Sequence, residues 1–410
     1  MTTIEPIDQR AVLADAHADA DSVLRLTRGL VTVASRGGVD PYEPILGRVR
    51  TWLHHRRLPT TMLTDRSGAA VGLTCEITGA HPGPSWVLDA CLDTAPFGAE
   101  DGWTYPPTAA VVRDGWLHGR GSADSKSGVA IFCHIAARLA AAAGRLHGRV
   151  VLLFDLDEHT GGFAGAKTFF EGPEAQTDVA GVMIGYPGIS ELVVGGRGVH
   201  RVKLHVHGVA SHSGGSTSTA SAIEKAAALI RALSEVDLQS GADEQFRMGA
   251  KLTVTAIEGG GGYSVTPDLC TLNVDIRTTR TFDGTDAARM LEQQVTAIDQ
   301  AWPGTRPTLI QSDTHWPAYA LGGDSTLRAA ILDAAHRFGA DLDAKIAGPS
   351  NIGNYLAGLG IPATAGFGVD YVGLHGTDER IRINTIPIVQ ATYHAAALAL
   401  TTSPAAPLRS

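Results

Sequence analysis

The chain has little cysteine, and what it has is scattered: Cys75, Cys91, Cys133 and Cys270 show no C-x-x-C spacing. That excludes a disulfide framework and the common structural zinc clusters. Cys133 falls inside an apolar helical run and Cys270 in a strand, so both read as core thiols, in keeping with a reducing cytoplasm. Basic residues are outnumbered, 33 Lys and Arg against 42 Asp and Glu, for a formal net charge of −9. A chain of that balance lacks the basic face that sequence-independent nucleic-acid binding requires. Its densest basic run, HHRR at 54–57, reads as a solvated helix end. No apolar run reaches the roughly 20 residues of a membrane span, and MTTIEPIDQR has no apolar signal core. The expectation is a soluble cytoplasmic protein with neither nucleic acid nor membrane as partner.

What is present is apolar residue and glycine in quantity, 44% hydrophobic with 48 Gly in 410 residues. A length of that order holds two domains, or one large domain with an insertion. Residues 7–57 pattern as two amphipathic helices with a break at Gly37–Gly38. Strands follow at TTMLTD, AVGLTCEIT and WVLDACLD, then a polar excursion, a glycine-rich turn and the apolar helix VAIFCHIAARLAAAA. RVVLLFDLDEHTGG and DVAGVMIGYPG are continuous apolar strands, as in a sheet covered on both faces. Near Gly198 the period changes to strict alternation. Strand, helix, strand, strand, helix, strand then follow over about a hundred residues, the order of a ferredoxin-like unit. The α/β pattern returns around Ser325. The expected fold is therefore α/β, a three-layer hydrolase-like domain formed by 1–198 and 315–410, interrupted by an α+β domain at 199–314.

Polar residues gather where the strands of the first domain end. Cys91 and Asp93 follow WVLDA, Asp124 sits in the glycine-rich turn, and Glu158 and His159 close the next strand. Tyr186 closes a third strand, and His375 lies in a loop of the returning segment. Open α/β sheets place their chemistry at this edge, and such a ring of thiol, carboxylate, imidazole and phenol could surround a metal. Taken singly, each residue is more often a core or surface side chain. The shared edge is what makes the group a candidate site.

Several phrases of the chain resemble the co-catalytic zinc metallopeptidases that include aminoacylase, carboxypeptidase G, acetylornithine deacetylase and succinyl-diaminopimelate desuccinylase. They are the x-x-D-x-x-P phrase from Cys91 to Pro96, G-R-G-x-x-D-x-K-x-G from Gly119 to Gly128, and D-E-x-x-G-G-x-G-A from Asp157 to Ala166. G-x-x-x-H-S from Gly208 to Ser213, a G-G…P…D-I-R block from Gly260 to Arg277 and H-x-x-D-E from His375 to Glu379 complete the set. The resemblance implies a zinc-peptidase domain with an inserted lid that is also the surface of a homodimer. It implies Glu158 as general base, Asp93 as the carboxylate orienting the first ligand, and His212 as a lid histidine reaching a substrate oxyanion. It also implies Arg277 as the clamp on a substrate carboxylate.

The departures from that family bear on the metal. Its H-x-D is C-x-D here, its G-E-P is G-Y-P, and its Glu-Glu pair is Glu158-His159. One metal position becomes Cys91, Asp124 and Tyr186, in which tyrosine is a poor ligand until ionised. The other becomes Asp124, His159 and His375, an acceptable single site for zinc or iron(II). The expectation is one ion in preference to two, or none, held by Asp124, His159 and His375, with Cys91 and Tyr186 as secondary candidates. Substrate-loop positions have changed as well, to Ser264 and to Ser350-Asn351-Ile352, so Ser264 and Asn351 mark an altered pocket.

The function read from these residues is cleavage of the amide bond of a small N-acyl or peptide-like substrate, one that can carry a carboxylate. A biosynthetic enzyme on the same scaffold, metal-free or metal-independent, repurposed for acyl transfer, amide formation or other acid/base chemistry by Glu158, His159 and Tyr186, with Cys91 available as a thiolate nucleophile, is the alternative. A non-catalytic binding protein ranks third.

Overall fold

The computed structural model describes residues 8–172, 178–216, 218–238 and 243–402. Of the tail 401–410, expected from sequence to fray, residues 401–402 close helix Ile386–Thr402 and 403–410 lie outside the described residues. The chain divides into two compact units, one of residues 1–194, 321–345 and 361–410, the other of 195–320 and 346–360. The insertion expected from sequence spans 199–314; the second unit spans 195–320 and also takes in 346–360.

The first unit is built on a mixed sheet. Four parallel strands form its centre, in the order His147–Asp155, His81–Asp89, Val179–Gly185, Ala363–Phe367. Past the exposed entry at 81–83 their side chains are mostly buried, as the unbroken apolar runs require of strands covered on both faces. Ala70–Thr78 and then Thr61–Thr64 extend one side antiparallel, and Glu191–Gly196 pairs antiparallel on the other. Helix Ser127–Ala141 is apolar nearly all round and almost wholly buried. It packs with Gln9–Val31 and with the equally buried C-terminal helix Ile386–Thr402.

A four-stranded sheet that the sequence does not announce adjoins this frame, in the order Tyr371–Val372, Arg380–Arg382, Trp116–His118, Val111–Arg113. Its strands are two or three residues long, too short for periodicity to register. Its consequence is large. Pairing Arg380 with His118 sets the loop carrying His375 beside the turn carrying Asp124.

The second unit has the expected ferredoxin-like order. Its sheet runs Lys251–Gly259, Leu269–Thr278, Gly198–His207, Leu309–Trp316, all antiparallel. Helices Ala222–Ser234 and Gly284–Ala301 share one apolar core with it, in which Val202, Leu204 and Val206 alternate with half-exposed His205 and His207. Asp283 and Asp286 form a reciprocal capping box that starts the second helix. Residues 346–360, read from sequence only as a glycine-punctuated stretch, hold a helix, Ile352–Gly358, started by Asn351.

Two buried histidines of the first unit respond to pH in a defined sense. His134 Nδ1 lies 2.7 Å from the Ala130 carbonyl and Nε2 2.9 Å from Ser22 Oγ, the pattern of a neutral ring that donates at one nitrogen and accepts at the other. Burial pulls the pKa of His134 from 6.5 down to about 4, and burial does the same to His394. The native state thus binds fewer protons than the unfolded chain, so their stabilisation is present above about 6.5 and is lost as pH falls towards 4. Urea midpoints measured from pH 7.5 to 4.5 are expected to fall over this window, and the fall should be shallower in His134→Gln.

Candidate metal and acid–base site

The parallel strands His81–Asp89, His147–Asp155 and Val179–Gly185 end at one edge, and the loops leaving them carry Cys91, Glu158, His159 and Tyr186. The Asp124 turn is tight. Gly121 has φ +79°, and a Cβ there would lie 2.5 Å from Thr94 Cγ2, so only glycine fits. The turn delivers Asp124, only 2% exposed, to the head of helix Ser127–Ala141. His375 has φ +58°, a left-handed conformation uncommon for histidine.

Asp124 is the hub. Its Oδ1 accepts a hydrogen bond from Ser125 Oγ at 2.7 Å and faces Cys91 Sγ at 3.8 Å. Its Oδ2 lies 2.9 Å from His375 Nε2 and 3.5 Å from His159 Nε2. Burial alone would raise its pKa, but the two imidazoles outweigh burial and hold the carboxyl far below its ordinary range. For His159 the balance runs the other way. Burial disfavours its charged form, and Asp124 and Asp93 overcome that penalty and raise its pKa well above the ordinary value. Tyr186 is kept a neutral phenol, first by the charge of Asp124 and then by burial. Glu158 is pushed up to about 7 by burial, with Asp124 adding to the effect. Converging carboxylates create a place where positive charge is favoured.

Asp93 is completely buried and has taken a new partner. Its two oxygens accept the backbone N–H groups of Glu158 and His159 at 3.2 and 3.0 Å. Oδ2 also stands 3.5 Å from His159 Nδ1. The carboxylate expected to orient the residue at position 91 thus braces the Glu158–His159 turn.

A cation fits this chemistry. Cys91, Asp124 and His159 each offer a donor atom, and the three atoms lie within 4.8 Å of one another. Both ring nitrogens of His159 are buried and make no well-aligned hydrogen bond, although carboxylate oxygens of Asp93, Glu158 and Asp124 stand 3.3–3.5 Å from them, which leaves a donor atom for an ion to use. Thiolate, carboxylate and imidazole are all zinc donors. This grouping differs from the expected Asp124–His159–His375 set in containing Cys91, which faces Asp124 Oδ1, whereas His159 and His375 both face Oδ2 with their ring centres 5.2 Å apart.

The remaining predicted residues belong to the second unit. His212 is exposed on the two-residue strand Ser211–His212, and its Nδ1 accepts the Gly214 N–H at 3.0 Å, which leaves the proton on Nε2. The Arg277 guanidinium is engaged by Asp275, Nε to Oδ1 at 2.8 Å and Nη2 to Oδ2 at 3.1 Å, and Nη1 donates to Ser350 Oγ at 3.1 Å. Asn351 caps its helix by accepting the Gly353 N–H. Ser264 is exposed, and its carbonyl accepts the Ser213 N–H at 3.0 Å.

Sequence reasoning passed over Arg120 and Glu379, which are 2% and 0% exposed. Arg120 Nη1 pairs with Glu379 Oε2, while Nη2 donates to the carbonyls of His375 and Gly376 at 3.0 and 2.9 Å. Glu379 Oε1 in turn accepts the Ala123 N–H at 2.9 Å. The pair ties the Asp124 turn to the His375 loop. Both residues stood inside recognised phrases, G-R-G and H-x-x-D-E, but only contacts reveal the link.

An acidic, cation-favouring centre at the strand ends of an α/β sheet is the frame of a metallopeptidase. A profile of the Peptidase family M20/M25/M40 matches residues 87–399, and the chain belongs to that family. It is thereby placed among metal-dependent hydrolases of peptide and amide bonds. It is 25% identical over 327 residues to the succinyl-diaminopimelate desuccinylase of Marinobacter nauticus, covering 76% of this chain and 82% of that enzyme. To the same enzyme of Cereibacter sphaeroides it is 30% identical over 217 residues, 50% of this chain and 55% of the relative. Among solved structures, a tripeptidase from Staphylococcus aureus aligns with a TM-score of 0.73 at 18% identity, over 93% of this chain and 98% of that one. A dinuclear metal binding peptidase of the M20 family from Bacillus subtilis aligns with a TM-score of 0.71 at 17% identity, over 94% and 99%.

Removing Glu379 leaves a buried guanidinium without its counter-charge, a loss on the order of 3–5 kcal/mol. Urea unfolding of Glu379→Ala is expected to show that loss. Glu379→Gln, which retains an acceptor for the Ala123 N–H, should lose less.

Proposed function

We propose that this chain hydrolyses the amide bond of a small N-acyl or peptide-like substrate bearing a carboxylate, with one divalent ion held by Cys91, Asp124 and His159. The observation that carries the reading is the compact Cys91–Asp124–His159 donor set with Glu158 beside it, Glu158 Oε2 lying 3.3 Å from His159 Nδ1. A thiophilic ion, zinc before iron(II), would act there as Lewis acid towards the scissile carbonyl and towards water. Glu158, with 22% of its side chain open, would take a proton from the attacking water and pass it to the leaving amine. Asp93 would fix the backbone of Glu158, and His375 would hold Asp124 through Oδ2, the oxygen that His159 also faces. His212 would donate Nε2–H to a developing oxyanion. Arg277 would bind a substrate carboxylate in exchange for Asp275, and Ser264 and Asn351 would shape the pocket.

We further assign a cytoplasmic setting, supported by four buried free cysteines. Among the described residues no helix is long and apolar enough to cross a membrane. We assign a homodimer through the inserted unit, where exposed Ile257 and Leu269 favour association.

A panel of N-succinyl and N-acetyl amino acids and dipeptides, assayed with added zinc, tests the activity. Glu158→Gln is expected to lower kcat by about 10²–10⁴-fold. Metal analysis should return one ion per chain, removed by chelator and restored by zinc. In cobalt-substituted protein a sulfur-to-metal charge-transfer band is expected, and it should vanish in Cys91→Ser. A band unchanged by that substitution would remove Cys91 from the ligand set.

One observation favours a second reading. Cys91, His159 and Asp93 are adjacent in the order nucleophile, base and orienting acid. Turnover that persists in chelator and is abolished by alkylation of Cys91 would select it.

A further inference from the structure

The chemistry above leaves the HHRR run at 54–57 without a role. Between positions 25 and 57 the chain carries seven arginines and no lysine against two acidic residues, although its net charge is −9. One of those acids, Asp40, is committed to Arg36 through contacts of 2.8 Å. Three of the arginines, Arg25, Arg48 and Arg56, line a single groove of about 640 Å³ between helices Gln9–Val31 and Glu43–His54, and His55 stands with them. Among the described residues none of the three arginines forms a salt bridge, while Arg36 and Arg138 nearby do.

The groove places its charges. The Arg56 guanidinium lies 3.5 Å above the centre of the Trp52 ring, and the Trp52 ring packs at 4.5 Å against the buried His134. Arg48 reaches across to Gly29, whose missing Cβ leaves room for it: a Cβ there would stand 3.1 Å from Arg48 Nη1. A glycine inside a helix lowers helix propensity relative to alanine, and here it lies under the arginine. Three planar guanidinium forks repel one another unless an anion sits between them, and phosphate geometry suits such forks better than it suits ammonium groups. The volume falls in the range of small-molecule sites, roughly 300–1,000 Å³, and Leu26, Pro44 and Trp52 give it an apolar wall.

We propose that this groove is a binding site for a small diphosphate, with Arg25, Arg48 and Arg56 holding the phosphates and the Trp52 side receiving an organic portion. The site is separate from the Asp124 centre and does not depend on the hydrolytic reading.

Titration calorimetry of the full chain with inorganic pyrophosphate and with ADP tests the proposal. One saturable site per chain is expected, weakening as salt rises, and Arg25→Ala and Arg48→Ala should each lose about tenfold in affinity or more. Gly29→Ala separates binding from folding. It should raise the melting temperature by restoring helix propensity and yet weaken diphosphate binding, because its Cβ displaces Arg48. Amide hydrolysis should be unchanged in all three variants. Absence of binding by both probes would overturn the proposal, and so would binding that survives Arg25→Ala and Arg48→Ala together, since the anion would then sit elsewhere. A short single-stranded oligonucleotide that binds through these arginines more tightly than ADP would also overturn it.

Discussion

The buried pair of Arg120 and Glu379 is the constraint on which the site depends. Two fully enclosed opposite charges are stable only when their remaining hydrogen-bonding capacity is met. Here it is met by the two loops that carry Asp124 and His375. The guanidinium takes the carbonyls of His375 and Gly376, and the carboxylate takes the backbone of Ala123. Neither loop can move without unpairing a buried charge. That rigidity lets His375 keep its left-handed backbone and lets Asp124 stand buried between two imidazoles.

Around that clamp one thiol, one carboxylate and one imidazole bring donor atoms within 4.8 Å of one another. On the resemblance drawn from the sequence, the sulfur at position 91 would stand in place of an imidazole and the imidazole at position 159 in place of a carboxylate. Asp93 braces the turn at 158–159 by accepting its backbone N–H groups.

Much of this was legible in the sequence, for physical reasons that differ by region. The parallel core strands announce themselves because burial on both faces demands unbroken apolar runs, and the inserted unit because one-sided burial demands alternation. The strand ends carrying Cys91, Glu158, His159 and Tyr186 follow directly from those runs. Two things could not be read. Strands of two or three residues, such as Tyr371–Val372 and Arg380–Arg382, carry no period. The pairing of Arg120 with Glu379 spans 259 positions and has no local signature. The ranking of Cys91 beside His375 was also out of reach, since it depends on distances of about an ångström and not on residue type.

The small sheet that joins residues 111–118 to residues 371–382 has a temporal meaning as well. A ribosome delivers Arg120 long before Glu379, and the whole inserted unit is made in between. Until Glu379 and Arg380–Arg382 have emerged, the first unit holds a cation with no counter-ion, an open strand edge at Trp116–His118 and a half-built centre. The C-terminal segment is therefore a latch, and a nascent chain of this enzyme becomes competent only when that latch closes.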